Sequence, residues 1–338
     1  MTIKGFGAAL MGLSISIAVF VVYWTMTRNA LADQFMQRVK QAEYLGYDIR
    51  HRGLSIAGFP FSFDTNLGKL TVNYTASDHP FSFRGTDIYA HASAFIPFNW
   101  TVMHRGDARF DLRSPAGARW LFDIRPFQPE ALIKTKINGR VKTIELMATR
   151  LRLHPVIGTH PPLNAIENFN AALTQQQAGL HLSADATDIF LPQKTALQHP
   201  LSGLITTLGP HINQIYIEAM AVDLAGLERP DITSWQTTGE IDISQWRLHW
   251  EALNLQGRAK LLISQQGLSG TINVEVGNIN TVVDILIAAK FIPEAARAQL
   301  RGLLTFLPDN QAGRKNITLT LKDGQISVFG QTLYRFAP

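Results

Sequence analysis

The chain has 338 residues, 46% of them hydrophobic and 17% charged, enough apolar material for a sizeable core and too much for global disorder. Its net charge of +5 is spread along the chain, with no dense Lys/Arg stripe of the kind that binds nucleic acid. There is no cysteine, which excludes disulfides, thiolate catalysis and Cys-ligated zinc or iron–sulfur centres.

From Phe6 to Met26 no residue is charged; Lys4 precedes the run and Arg28 follows it. At about 1.5 Å per helical residue the run spans roughly 30 Å, one hydrocarbon core. Tyr23 and Trp24 stand near its far end, where interfacial aromatics belong. The pattern predicts an N-terminal transmembrane anchor over 1–28. The competing reading is a cleaved secretory signal, for which Ala30-Leu31-Ala32 has the required form; signal cores are usually about 7–15 residues, shorter than this run. Both readings export the rest of the chain. The short N-terminal flank, left in the cytoplasm, gives a single-pass inner-membrane protein with its bulk in the periplasm.

Residues 33–45 read as a helix, with Phe35, Met36, Val39 and Tyr44 near one face and Gly46 as its stop. Period-two alternation follows. In KLTVNYT, Leu70, Val72 and Tyr74 point one way and Thr71, Asn73 and Thr75 the other; TINVEV does the same with Ile272, Val274 and Val276. ITLTLKDGQISVF adds Ile317, Leu319 and Leu321, and its Asp323-Gly324 pair reads as a two-residue turn into Ile326 and Val328. Helical spacing returns in PPLNAIENFNAALTQQQ, where Ile166, Phe169, Ala172 and Leu173 follow Pro161-Pro162. INTVVDILIAAK and PEAARAQLRGLLTFL form another helical region broken at Pro293, and a shorter helix is expected near 197–208. These elements predict an α+β fold: predominantly antiparallel, curved β-sheet with packed helices behind one N-terminal transmembrane helix. Beyond the anchor the chain divides into a first β-rich unit (29–160) and a second α+β unit (161–338). IRHRGLSIAG at 49–58 echoes LHWEALNLQG at 248–257, which suggests two related units in one continuous periplasmic domain.

The tetrapeptide Pro-Phe-Ser-Phe occurs at 60–63 and again at 80–83, and Pro-Phe recurs at Pro97-Phe98 and Pro126-Phe127. Proline is tolerated at the first residue of a strand, so the repeat reads as a strand start. Its two phenylalanines, two apart, are expected to share the inner face of the sheet. Core packing and a ligand-facing aromatic groove both fit. In the groove reading the binding residues are Phe59, Phe61, Phe63, Phe81 and Phe83, with Trp246 and Trp250 as a second platform flanking Arg247 and His249. FIPFNW at 95–100 is an apolar patch for the core, a sheet rim or a membrane.

No sequence pattern announces chemistry. There is no H-E-x-x-H, nucleophile elbow, Walker loop or dinucleotide fingerprint. His154 and His160 bracket a loop and read as solvated residues more readily than as a metal pair. Gly5-Phe6-Gly7 and Gly12 fall inside the anchor, where small residues let helices approach. No catalytic residue, metal or cofactor is therefore assigned.

YDIRHRGLSIAGFPFSFDTNL, LHWEALNLQGRAKLLISQQGLSGTINVEV and ITLTLKDGQISVFG resemble the domain-of-unknown-function family 2125, bacterial envelope proteins with an N-terminal membrane segment. The resemblance covers roughly 30–338, and its most specific part is the Gly-Phe-Pro-Phe stretch. It implies no catalytic residues, because the family carries no established activity. In style the chain is also similar to AsmA-like lipid-handling envelope proteins. The expected role is non-enzymatic: binding or guiding membrane lipid, or supporting envelope assembly. The alternatives are a scaffold that docks an envelope protein partner through a sheet edge, and an envelope hydrolase with a dispersed site.

Overall fold

The structure is a computed structural model of the chain. It describes all residues except 1–2, 75–79, 114–118, 126–128, 137–140, 157–162, 178, 193–199, 223–238, 265–266, 293, 308, 311–312, 323, 329–330 and 336–338, with side chains from Ser16 onward except at 200–201, 264, 267, 296, 299, 303, 305, 331 and 333–335. Pro126-Phe127, His160, Pro161-Pro162, Pro293 and Asp323 lie outside the described residues, as do the side chains of Gly5-Phe6-Gly7 and Gly12.

A single helix, α1 (Ile3–Tyr44), contains both the charge-free run and the helix expected at 33–45. No Gly or Pro interrupts the sequence from 13 to 45, so nothing breaks the helix between them. Gly46, at φ 93°, adopts the left-handed conformation that ends it. Val39 is buried, whereas Tyr44, expected on the same face, is exposed. Among the described residues no helix is long and apolar enough to cross a membrane.

The strands form one antiparallel sheet. Two short strands, β1 (Tyr47–His51) and β2 (Ser55–Ala57), pair with the two halves of β3 (Ser62–Tyr74). β3 pairs with β4 (Phe81–Ser93). The next two rows are split. β5 (Ile96–His104) and β6 (Ala108–Arg113) share β4; β8 (Glu130–Thr135) pairs with β5, and β7 (Arg119–Ile124) with β6. β9 (Val141–Pro155) rejoins both halves.

From there the chain meanders through β10 (Ala165–Gln175), β11 (Leu180–Phe190), β12 (His211–Val222), β13 (Gly239–Trp250) and β14 (Leu253–Ser264). It ends with β15 (Gly267–Val276), β16 (Lys315–Lys322), β17 (Gln325–Val328) and β18 (Gln331–Arg335). α2 (Pro200–Leu208) lies between β11 and β12; α3 (Ile279–Ala288) and α4 (Arg297–Thr305) lie between β15 and β16. Among the described residues β18 pairs only with β17, and β1 and β2 only with β3, so the sheet is open at both edges. It is also continuous across residue 160, through the β9–β10 ladder.

A seam crosses this sheet. Asp87 in β4, Arg150 in β9 and Asp188 in β11 have φ of 56°, 53° and 52°, and Glu251 in the β13–β14 turn has 48°. The breaks between β5 and β6 and between β8 and β7 fall on the same line. A left-handed residue inside a strand resets which face the next side chain takes. Gly85 and Ile88, Ala148 and Leu151, and Ala186 and Ile189 are therefore three apart yet on one face. In agreement, Ala186, Ile189 and Ile166 all pack against one cluster.

The seam explains where the expected helix over 161–177 fails. That stretch is β10, laddered to β9 and β11. Ile166 and Phe169 share a face because they straddle the seam, so their three-residue spacing imitates a helical turn. The other helices and the β16–β17 hairpin fall where expected, with Lys322 paired to Gln325 and Gly324 at φ 67°.

The helices cover only part of the sheet. Ile205 and Leu208 of α2 and Ile285 of α3 close a core with Ile189, Ile212, Trp250 and Leu253 beyond the seam. Asn278 caps α3 by accepting the Thr281 N–H at 3.2 Å. Asp284 of α3 accepts from Arg297 and Arg301 of α4, both at 2.6 Å, which ties the pair together.

Asp188 tests the seam. Asp188→Gly keeps the backbone conformation and loses the 3.0 Å pair with His211. Asp188→Val puts a β-branched side chain in the left-handed region, which costs about 1–2 kcal/mol more. Urea unfolding of the two variants is expected to differ by that amount, with valine the less stable.

Candidate functional site: an open apolar sheet face

The registers align apolar residues into rows that cross the sheet. One row runs Phe63, Ala92, Trp100, Ile133, Ile144, Leu173, Leu182, Ala219, Ile243, Ala259, Ile272, Leu319 and Val328. At about 4.8 Å per strand it extends about 58 Å. The neighbouring row runs Ile56, Thr65, Ala90, Val102, Ala131, Leu146, Ala171, Ala184, Ile217, Trp246, Gly257, Val274 and Ile317. Neither row contains a charged residue. A bulge between Ile243 and Trp246 keeps both on this face.

Among the described residues, no other element covers much of this strip. Leu173, Ala171, Ala184, Ile217, Ile243 and Trp246 are only half-buried. Leu182 retains 37% of its accessible surface, and Ile215, nearer the seam, retains 40%. α1 covers the start of the strip, where Trp24 stacks on Phe63 with centroids 5.5 Å apart. Trp24 Nε1 donates to the Ser62 carbonyl at 3.0 Å and the Tyr23 hydroxyl to that of Ala94 at 3.1 Å. α2 and α3 cover the far side of the seam. A sheet face of this length, with helices at two places among the described residues, leaves an apolar surface that needs a cover.

The opposite face is largely polar and internally paired, though Met147 and Leu262 are exposed on it. Lys134 meets Glu145 at 2.8 Å, His181 meets Glu218 at 3.1 Å, and Lys260 meets Glu240 at 2.7 Å. Arg247 lies over the Tyr216 ring at 4.6 Å. Burial, with the Glu218 carboxylate it donates to, pushes the Tyr216 phenol up. At the split rows Asp123 accepts two bonds from Arg109, at 2.7 and 3.0 Å, and this guanidinium holds the carboxyl below its ordinary range.

A shallow groove of about 460 Å³ on the polar side is lined by Asp64, Asn66, Tyr89, His91, Met103 and Arg105, among others. His91 Nδ1 is 2.6 Å from Asp64, and the hydrogen bond from His91 lowers the Asp64 pKa. The Ser62 hydroxyl donates to Asp64 at 2.7 Å. The carboxylate thus sits between serine and imidazole, so the histidine is not placed to take the hydroxyl proton as a nucleophile's base would. Among the described residues no three His, Asp or Glu side chains gather as a metal site.

The expected site residues separate into several environments. Both Pro-Phe-Ser-Phe copies do open strands, since β3 starts at Ser62 and β4 at Phe81. Phe61 and Phe63 nevertheless do not share a face. Phe61 belongs to the turn before β3 and is 69% exposed, whereas Phe63 is fully buried under α1. Phe59, also exposed, meets Trp24 edge-on at 5.4 Å. Phe81 packs on Tyr74 at 5.9 Å and Phe83 on Phe110 at 5.1 Å, both beyond the seam. Trp250 is buried and donates Nε1 to the Gly209 carbonyl at 3.0 Å, a core position. Trp246 alone of these lies on the open strip. Its indole N–H is buried without a partner. The residues missed from sequence are Ile144, Leu146, Leu173, Leu182, Ala184 and Ile217. Strand alternation at 141–149 and 180–186 signals some of them, but their alignment depends on inter-strand register.

Gly257 faces Trp246 across the β13–β14 ladder, and a Cβ there would overlap the Asn273 carbonyl oxygen and sit 3.1 Å from Trp246 Nε1. Gly257→Ala is expected to cost about 1–3 kcal/mol in a denaturant titration and to shift the tryptophan emission of the folded protein.

The comparisons with known proteins agree with the family resemblance and add no activity. No curated protein and no solved structure matches the chain, and the looser likeness to AsmA-like proteins gains no support from them. A family model described as "Uncharacterized protein conserved in bacteria (DUF2125)" matches residues 24–330, which includes Trp24, the α1 residue stacked on Phe63, and nearly all the strands. The chain belongs to the DUF2125 family.

Proposed function

We propose that this protein is a non-enzymatic, membrane-anchored envelope protein that holds or guides lipid, laying acyl chains along the open apolar strip. The single observation that carries the reading is the strip: two aligned rows, uncharged from β3 to β16, with Leu182 on one of them and Ile215 beside them left substantially exposed. The open band from β8 to β13 covers five strand spacings, about 24 Å, close to the extended length of a long acyl chain. α1 supports the anchor. Ile17, Val19 and Val22 are exposed, and a helix segment apolar on all sides calls for lipid or a partner around it. In this reading the residues beyond the anchor occupy the periplasm.

A second reading, a scaffold for an envelope partner, is favoured by the open edge at β18, whose backbone groups are available for strand addition. One preparation separates the two. The full chain is purified from membranes in nanodiscs or mild detergent, extracted with organic solvent and compared by mass spectrometry with a mock purification. Lipid is expected in excess over the mock. Leu182→Asp and Ile215→Asp are expected to lower it at least several-fold, because an acyl chain would bury the new charge; Ser183→Asp on the polar face is expected not to. Equal lipid in all samples, with a stoichiometric protein partner retained, would favour the scaffold.

A further inference from the structure

The end of the sheet beside α1 carries a second apolar surface, formed by loop tips instead of strand faces. Phe59 and Phe61 sit in the β2–β3 turn, and Phe95 and Ile96 at the β4–β5 turn. Phe61 is 69% exposed and Phe95 64%, and Phe59 and Ile96 are each more than half exposed. The rings form one group. Phe95 stacks on Phe20 of α1 at 5.6 Å and lies 6.5 Å from Phe61. No residue from 53 to 63 or from 92 to 103 is charged. Single exposed apolar side chains are ordinary, but a contiguous group of this size marks an interaction site.

Three observations identify a lipid bilayer as its occupant. First, the patch is continuous with the exposed apolar part of α1, whose first contact with the sheet among the described side chains is Phe20 on Phe95. The helix upstream, Ile3 to Val19, adds about 25 Å of length. Second, the patch lies beside α1 where the helix meets the end of the sheet, Phe95 against Phe20 and Phe59 against Trp24, so a bilayer receiving the helix meets the rings as well. Third, the same end of the sheet carries Lys136 and Lys142, exposed beside the β8 and β9 ends, a complement to anionic headgroups.

We propose that Phe59, Phe61, Phe95 and Ile96 form a collar that inserts into the outer part of an anionic bilayer around α1. The proposal rests on the anchored lipid-handling reading and specifies how the domain sits. The first residues of the apolar strip, Phe63 and Trp100, lie directly behind the collar. The strip's start, covered by α1, therefore lies at the bilayer surface, with the open band continuing beyond it from β8.

The absence of native cysteine allows single-site labelling of the full chain. Phe61→Cys, Phe95→Cys and, as a control on exposed β10 backbone, Asn168→Cys are labelled with an environment-sensitive fluorophore. They are reconstituted into vesicles of phosphatidylethanolamine and phosphatidylglycerol. Nitroxide near the headgroup end of the acyl chain is expected to quench the labels at 61 and 95 at least threefold more than the label at 168. Aqueous iodide should show the reverse order. Thermal melts of the labelled proteins confirm that each is folded. Labels at 61 and 95 that behave like 168 in protein that floats with the vesicles overturn the collar and leave the anchor standing. Protein that does not float overturns both. Quenching as expected in protein that carries no extractable lipid supports the collar and removes the strip reading alone.

Discussion

A β-strand presents its side chains to alternate faces, so an apolar face that crosses many strands survives only if every register and every interruption preserves parity. This chain meets that constraint from Phe63 to Val328. It does so with specific devices. The bulge beside Ser244 returns Trp246 to the face of Ile243. The left-handed residues Asp87, Arg150 and Asp188 reset parity where strands cross the seam. Without them the face would lose its apolar residues on one side of the seam to the polar side, and the helices there would meet polar side chains.

The consequence is an unequal distribution of burial. Beyond the seam, α2 and α3 pack Ile205, Leu208 and Ile285 on Ile189, Ile212 and Trp250, and the apolar face is a conventional core. At the start of the sheet α1 does the same through Trp24. Between these covers the same apolar rows continue, and among the described residues nothing equivalent lies over Leu182, Ala184 and Ile217. Each large side chain there forgoes part of the roughly 1.5–3 kcal/mol that full burial would contribute. A fold that spends register devices on keeping this band apolar, and then leaves it uncovered, fits a surface meant for an apolar ligand. The charge pairs on the opposite face, such as Lys134 with Glu145 and Lys260 with Glu240, keep that side in water.

Much of the local structure was legible from sequence. The charge-free run, the alternation in TINVEV, the β16–β17 hairpin and the helical spacing of INTVVDILIAAK each rest on contacts within a few residues. β10 was not legible, because Ile166 and Phe169 straddle the seam and mimic a helical period. The separation of Phe61 from Phe63 was hidden because the motif lies half in a turn, where strand parity does not apply. Trp246 and Trp250 share a face as their spacing suggests, but only the position of α2, which brings the Gly209 carbonyl to Trp250, makes one core and leaves the other open. The strip itself is a property of register. No short window contains it, since Leu146, Ala171, Ala184, Ile217 and Trp246 come from five different strands.

The most direct measurement of the central claim is site-specific photocrosslinking in native membranes. A photoreactive amino acid is placed at Leu182, at Ile217 and, on the polar face, at Ser183, and adducts are identified by mass after irradiation. The account requires lipid adducts at 182 and 217 and none above background at 183. Protein adducts alone at 182 and 217, or equal lipid labelling at all three positions, would contradict it.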